Sequence, residues 1–173
     1  MAEVTGGERS IAAIKALVDK LGKASEVRVG FLENATYPDG TPVAMVAALN
    51  NFGAPGAGIP PRPFFSNMIA DKSPGWGEQF AAVLAASDND ADKALDLMGE
   101  GMAGQLREAI VQTNGPANSP VTDLLKQRFP MGGQTFADVQ EARRDVAAGE
   151  TAPAGKPLVW TGNLLASVDK EVR

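Results

Sequence analysis

Three aspartates at alternating positions, Asp88, Asp90 and Asp92, have the spacing that opens a calcium-binding loop. Such a loop needs a glycine at its sixth position and a bidentate glutamate at its twelfth, because the chain must turn sharply and close the coordination shell. Those two positions hold Lys93 and Gly99. We therefore predict no calcium site here, and expect Asp88 or Asp90 to cap the helix that follows.

Three closely spaced glycines, Gly53, Gly56 and Gly58, are the nearest match to a phosphate-binding loop. No Lys-Ser/Thr pair follows them and no helix is predicted to begin directly after them, so the backbone amides that cradle a phosphate are not expected. The remaining carboxylates of interest fall on the polar faces of predicted helices, where exposure to solvent is the ordinary reason for a charged side chain. They are Glu78, Glu100, Glu108, Glu141 and Asp145.

The 173-residue chain contains neither histidine nor cysteine. Histidine is the usual general base and the commonest transition-metal ligand near neutral pH, and cysteine supplies thiolate nucleophiles and metal ligands. Catalytic triads, zinc sites and disulfides are thereby excluded or made improbable. We predict a protein that is not an enzyme and that uses no cofactor.

Composition and charge narrow the class of protein further. A hydrophobic fraction of 44% with 21% charged residues predicts a folded globular chain, and its length suits a single domain. The formal net charge of −5 argues against direct nucleic-acid binding, which needs clustered lysine and arginine. No apolar run is long enough for a signal peptide or a membrane span, so we expect a cytoplasmic origin and no membrane partner.

Hydrophobic periodicity predicts the elements that surround these residues. Apolar residues at helical spacing predict a helix over about 10 to 22, and period-two alternation predicts a strand over 26 to 31 with Val27, Val29 and Phe31 on its buried face. Four further helices are predicted. The first runs from an N-cap at Thr41 to about Asn51, the second begins at Pro63, and the third begins at Trp76. The fourth follows a break at residues 87 to 90 and ends at about Thr113. Two short helices are predicted over 121 to 129 and 136 to 148, and another near 163 to 167.

The fold class follows from the order of these elements. We predict an α+β fold: a small antiparallel sheet packed against several helices, with a long, partly irregular excursion before the C-terminal strand. The excursion segment, residues 114–156, is rich in proline and glycine and is predicted to contribute little to the core. The terminal strand over 168 to 173 is predicted to pair antiparallel with the strand over 27 to 31.

Two features leave alternatives open. Residues 60–65, with sequence Pro-Pro-Arg-Pro-Phe-Phe, predict either a rigid loop whose phenylalanines anchor the next helix in the core, or an assembly surface where Arg62 and an aromatic residue anchor a neighbouring subunit. Gly99, Gly101 and Gly104 predict either a close helix crossing or a hinge. On the assembly reading, the predicted interface residues are Arg62, Pro63, Phe64, Phe65, Phe129 and Phe136.

Two separated patches resemble a known family. The first begins with Val-Arg-Val-Gly-Phe at 27–31, continues through Tyr-Pro-Asp-Gly-Thr at 37–41 and Asn-Phe-Gly-Ala-Pro at 51–55, and ends at Phe65. The second is Pro-Leu-Val-Trp-Thr-Gly-Asn-Leu-Leu-Ala-Ser-Val at 157–168. In content and order they resemble the tail-completion and neck-protein family of HK-type tailed bacteriophages. Members of that family often have an acidic residue where this chain has Asn51, and a small acidic residue at the position of Trp160.

The resemblance implies a structural virion protein that completes the tail or forms part of the head-to-tail neck. It implies a homo-oligomeric ring with tail terminator, tail tube or head-tail connector proteins as partners, and no catalytic residues. Such a protein is expected in the virion, and in the host cytoplasm during assembly. The alternatives are a tail assembly chaperone or adaptor absent from the mature particle, and a small hydrolase that uses paired carboxylates.

Overall fold

The computed structural model describes residues 26–173 and, before them, positions 11, 12, 15, 16 and 18. The helix predicted over 10 to 22 lies outside the described residues except at those positions, where the backbone is helical. In chain order the described elements are β1 (Val27–Phe31), α1 (Val43–Phe52), a 3-10 turn (Pro55–Ala57), α2 (Phe64–Ala86), α3 (Ala91–Gln112), α4 (Pro120–Arg128), α5 (Phe136–Ala147), α6 (Asn163–Ala166) and β2 (Val168–Val172).

The sheet joins the two ends of the described chain. β1 and β2 are antiparallel, with Val27 opposite Val172 and Phe31 opposite Val168, so the predicted pairing and the α+β fold class are confirmed. Backbone hydrogen bonds between Glu26 and Arg173 extend the ladder by one more pair. The alternating apolar pattern of both strands accounts for this register, because a shift by one residue would turn every valine to the other face.

Helix α3 packs against both strands of the sheet. Lys170, opposite Val29 in the ladder, lies on the α3 side, where its Nζ donates to the backbone oxygen of Asp96 at 3.1 Å and also contacts the Asp96 carboxylate. Its stem lies over Gly99, which has no side chain to hold it away. Gly99 thus permits a close approach, but to the strands of the sheet and not to another helix as the close-crossing interpretation predicted, and Gly101 and Gly104 have open space around them.

Helix α2 is one continuous element from Phe64 to Ala86, although its two halves were predicted from separate patterns. Pro74 lies within it, where it lacks an N–H to donate to the preceding turn. Packing of α2 along α3 accounts for its continuity, including a hydrogen bond from Trp76 Nε1 to Gln105 Oε1 at 3.0 Å. Tertiary contacts therefore outweigh the local effect of proline.

Three helix boundaries show how local hydrogen bonds and backbone conformation determine where helices begin and end. Helix α1 begins at Val43 with Pro42 as its N-cap, one residue later than predicted, because the Thr41 carbonyl accepts from Tyr37 N at 2.8 Å in the preceding turn. Asp90 is the N-cap of α3, and its side chain accepts from Lys93 N at 3.0 Å, as predicted. Gly53 ends α1 with a positive φ of 78°, which glycine adopts without strain.

The hydrophobic residues form two separate clusters. The main core is built from α1, α2, α3, α6 and both strands, with Val43, Leu106, Ile110 and Val168 nearly inaccessible to solvent. None of its described members comes from the excursion segment, as predicted. The excursion segment instead contains α4 and α5, which pack on each other through Leu124, Leu125 and Ala142. It is therefore more regular than its proline and glycine content suggested.

Candidate functional site

Arg62 joins the main core to the excursion segment. Its Nε donates to the Pro116 carbonyl at 2.8 Å and its Nη2 to the Ala117 carbonyl at 3.2 Å, while Nη1 reaches Asn50 Oδ1 at 3.3 Å. The residue is only 6% exposed, and burial lowers the pKa of its guanidinium. Because these donors are engaged within the chain, Arg62 acts as a clamp on the start of the excursion segment.

Asn51 organises the start of α2. Its Oδ1 accepts from the backbone amides of Phe65 at 3.0 Å and Ser66 at 3.1 Å, and its Nδ2 donates to Ser66 Oγ at 2.7 Å. The accepting oxygen satisfies two of the helix N–H groups that lack partners at an N-terminus, a role that Pro63, the N-cap, does not fill with its side chain. Sequence reasoning noted the position but missed this role.

The aromatic residues of the 60–65 segment point into the fold. Phe64 is buried in the main core and makes edge-on ring contacts with Phe31, at a centroid distance of 6.4 Å, and with Phe65, at 6.5 Å. These geometries are the favourable T-shaped arrangement of aromatic pairs. The rigid-loop interpretation is therefore confirmed for Phe64, whose side chain anchors α2 in the core.

The six residues predicted as an assembly interface do not form one surface. Arg62 and Phe64 are buried and cannot present an assembly surface, because their contacts lie within the subunit. Phe65 is half-buried against the main core, and Phe129 is half-buried against the α4–α5 cluster. Pro63 is exposed, and Phe136 is 75% exposed at the start of α5. Met131, which was not predicted, is 84% exposed in the loop before it.

A cleft of about 790 Å³ separates the two parts of the subunit. One wall comes from the main-core side and includes Tyr37, Val46 and Arg62; the other comes from the excursion segment and includes Lys126 and Gln134. Burial raises the pKa of the Tyr37 hydroxyl, and the Asp39 carboxylate adds to the rise. Gln134 lines the cleft, and its Oε1 is buried without a hydrogen-bond partner among the described residues.

Lys126 and Trp160 hold the excursion segment to the chain that follows it. Lys126 Nζ donates to the carbonyls of Lys156 at 2.6 Å and Val159 at 3.0 Å, and Trp160 Nε1 donates to the Phe129 carbonyl at 2.8 Å. Burial lowers the pKa of the Lys126 ammonium; the charge of Arg62 adds to the fall, and that of Asp123 opposes it. Both cations of the cleft therefore serve as donors to main-chain carbonyls.

Carboxylates of the excursion segment are also used structurally. Asp123 Oδ1 accepts from Asn118 Nδ2 at 2.8 Å and from Gly155 N at 3.1 Å, which ties the two ends of the excursion segment together. Arg128 bridges Asp145 of α5 at 2.7 Å and Glu150 at 3.0 Å. Among the described residues, no group of three or more acidic, histidine or cysteine side chains is arranged to hold a metal ion. Within the same part of the chain, no helix has the length and hydropathy of a membrane span.

Comparison with protein-family models, with curated proteins and with solved structures found no match to this chain.

Proposed function

We propose that this chain is a structural protein of a tailed bacteriophage particle, which completes the tail or forms part of the head-to-tail neck. The observation that carries the proposal is that the two resembling patches, far apart in sequence, fold into one unit. Val168, at the end of the second patch, pairs with Phe31 of the first. Tyr37 of the first patch and Leu158 and Trp160 of the second line the same cleft.

The excursion segment supports a role in contacting neighbours. It is held in place near its start by Arg62, and at Phe129 by Trp160. From this anchored position it exposes Met131 and Phe136, two large apolar side chains close together in sequence. Exposed apolar groups on a well-anchored element are typical of protein–protein contact sites. A homo-oligomeric ring with tail terminator, tail tube or connector partners would bury them.

The use of the polar side chains supports a structural role over a catalytic one. Arg62 and Lys126 donate to backbone carbonyls that join the excursion segment to the rest of the chain, and Asp123 accepts from Gly155 N within the excursion segment. A hydrolase that uses carboxylates would need a pair of them facing a substrate across a short gap. In the described cleft, Asp39 is the carboxylate on the wall, and it accepts from Thr41 N at 3.0 Å.

Mass spectrometry of purified particles tests the proposal against the assembly-chaperone alternative. Particles of the phage that encodes this chain should contain it in a fixed ratio to the tail proteins, and electron microscopy should place it at the neck or the head-proximal end of the tail. Its complete loss on particle purification, with tails still joined to heads, would favour the chaperone alternative. Deletion of the gene should yield unjoined heads and tails.

A further inference from the structure

A second cavity lies along β1, away from the cleft. This β1–α1 groove has a volume of about 340 Å³ and is lined by residues 28–31 of β1 and the following Leu32, by Ala44, Ala48 and Phe52 of α1, and by Phe64 and Phe65. Its size is near the lower limit of small-molecule pockets, so it suits a few aliphatic side chains. Most of its lining is apolar and Phe52 is exposed beside it, so the groove is an apolar surface that no described element covers.

The groove runs along the strand edge that β2 does not occupy. Successive residues of a strand point to opposite faces, so a groove lined by five consecutive residues follows an edge and not one face. β2 pairs with the other edge of β1, and no other described strand pairs with β1. Alanines at positions 44, 47 and 48 leave room for another element to approach α1 closely. An uncovered edge of this kind is usually protected in folded proteins.

The chain before β1 carries a matching apolar stripe. Ile11 and Val18 are helical and remain 67% and 59% exposed. In the sequence, Ile14, Leu17 and Leu21 recur at the same helical spacing, on one side of an amphipathic helix. An amphipathic stripe gains stability only when an apolar surface covers it.

We propose that residues 11–21 dock as a helix in the β1–α1 groove of the same chain. Only residues 22–25 separate this segment from Glu26, and the groove wall begins two residues later, at Arg28. The link from Leu21 to Glu26 spans up to about 17 Å when extended, and Gly22 allows a sharp reversal. The docked helix covers the free edge of β1 and buries Phe52. This inference does not depend on the proposed function.

Docking within one chain is favoured over docking on a second copy. A link of a few residues holds the segment near its own groove at an effective concentration in the millimolar range, which exceeds that of a second subunit in dilute solution. A helix from a second copy would occupy the groove only if residues 22–25 were too short a link for the helix to reach the groove of its own chain. The concentration dependence of docking distinguishes the two.

Engineered cysteines test the contact without background, because the chain has none of its own. In the full chain, Ile14→Cys combined with Ala48→Cys should form a disulfide within one chain under mild oxidation, independent of protein concentration. The matched control is Ala16→Cys with Ala48→Cys, since Ala16 lies about 160° round the helix from Ile14. Equal disulfide formation in both pairs, or bonds formed only between chains, would overturn the proposal.

Hydrogen exchange supplies a second readout that needs no disulfide. Ile14→Asp in the full chain should expose the groove, so the amides of residues 28–32 should exchange several-fold faster than in the unmodified protein. Ala16→Asp, on the opposite side of the helix, should leave their exchange unchanged. If both variants leave the amides of residues 28–32 at the original rate, residues 11–21 do not cover the groove.

Discussion

Gly99 of α3 lies so close to Val27 of β1 that a Cβ atom built at position 99 would stand 2.7 Å from Val27 Cγ2. The same atom would stand 3.0 Å from Lys170 Cδ, so both strands press against this position. The absence of a side chain at Gly99 is therefore what lets the helix reach the sheet.

Gly99→Ala should destabilise the protein. The new methyl group must displace a β-branched side chain on a paired strand, and overpacking of this kind costs about 1–3 kcal/mol. The better helix propensity of alanine offsets about 1 kcal/mol of that cost. Urea unfolding measures the difference. Gly101→Ala is the matched control, since nothing lies within 4 Å of its added atom, and it should raise the free energy of unfolding.

Arg62→Gln should loosen the start of the excursion segment. The glutamine is too short to reach the carbonyls of Pro116 and Ala117, so these acceptors lose a charged donor, at a cost of about 2–3 kcal/mol. Limited proteolysis should show faster cleavage near residues 114–119. The control Arg28→Gln changes an exposed arginine and should not alter the cleavage pattern. Unchanged cleavage in Arg62→Gln would show that the clamp does not hold this segment.

Asp138 should make α5 sensitive to acid. Its carboxylate accepts from Thr135 in a capping box at the start of α5, and these hydrogen bonds lower the pKa of Asp138 below its usual value. A carboxylate with a lowered folded-state pKa stabilises the fold above its unfolded-state pKa of about 3.9, and this contribution is lost as the pH falls through the folded-state value. Asp138→Asn should therefore make the free energy of unfolding less dependent on pH in that acidic range, as measured by urea unfolding at a series of pH values. Glu141→Gln, on the exposed side of α5, should leave the pH dependence of the unmodified protein unchanged.

A chain that ends at Ser167 should be much less stable than the full chain. It lacks all of β2, so β1 loses its described strand partner and the core loses the buried Val168. The remaining strand cannot persist alone, since its backbone groups are unpaired. Thermal unfolding followed by circular dichroism would measure the loss. A chain that lacks only Arg173 gives the control and should retain most of the stability; equal stability of all three chains would show that β2 is dispensable.

Replacing Met131 and Phe136 with serine should spare folding and weaken assembly. Both side chains are exposed, so their truncation removes little buried surface within the subunit. Under the proposed function, they become buried against a neighbour, and their loss should reduce ring formation and the yield of joined particles. Light scattering and electron microscopy measure these outcomes. Gln127→Ser, at another exposed position in the excursion segment, is the control. Normal assembly of the double variant would show that Met131 and Phe136 are not part of the interface.

Much of the local structure could be predicted from the sequence because its determinants lie within a few residues. Alternation over 27–31 and 168–172 identified both strands, and burial required them to pair. The Asp90 cap and the end of α1 at Gly53 follow from side-chain and backbone preferences at single positions. The helices of the excursion segment were also predicted to within one residue at each end.

Only the tertiary structure decided what the polar and small residues do. Arg62 is buried because the carbonyls of Pro116 and Ala117, which accept its hydrogen bonds, come from the loop that follows α3. No sequence pattern near position 62 predicts these partners. Asn51 and Lys126 likewise act through partners on other elements, and α2 continues through Pro74 because α3 supports it. Periodicity and capping are encoded by neighbours in sequence, whereas the partner of a hydrogen bond and the fit around Gly99 depend on which elements meet in space.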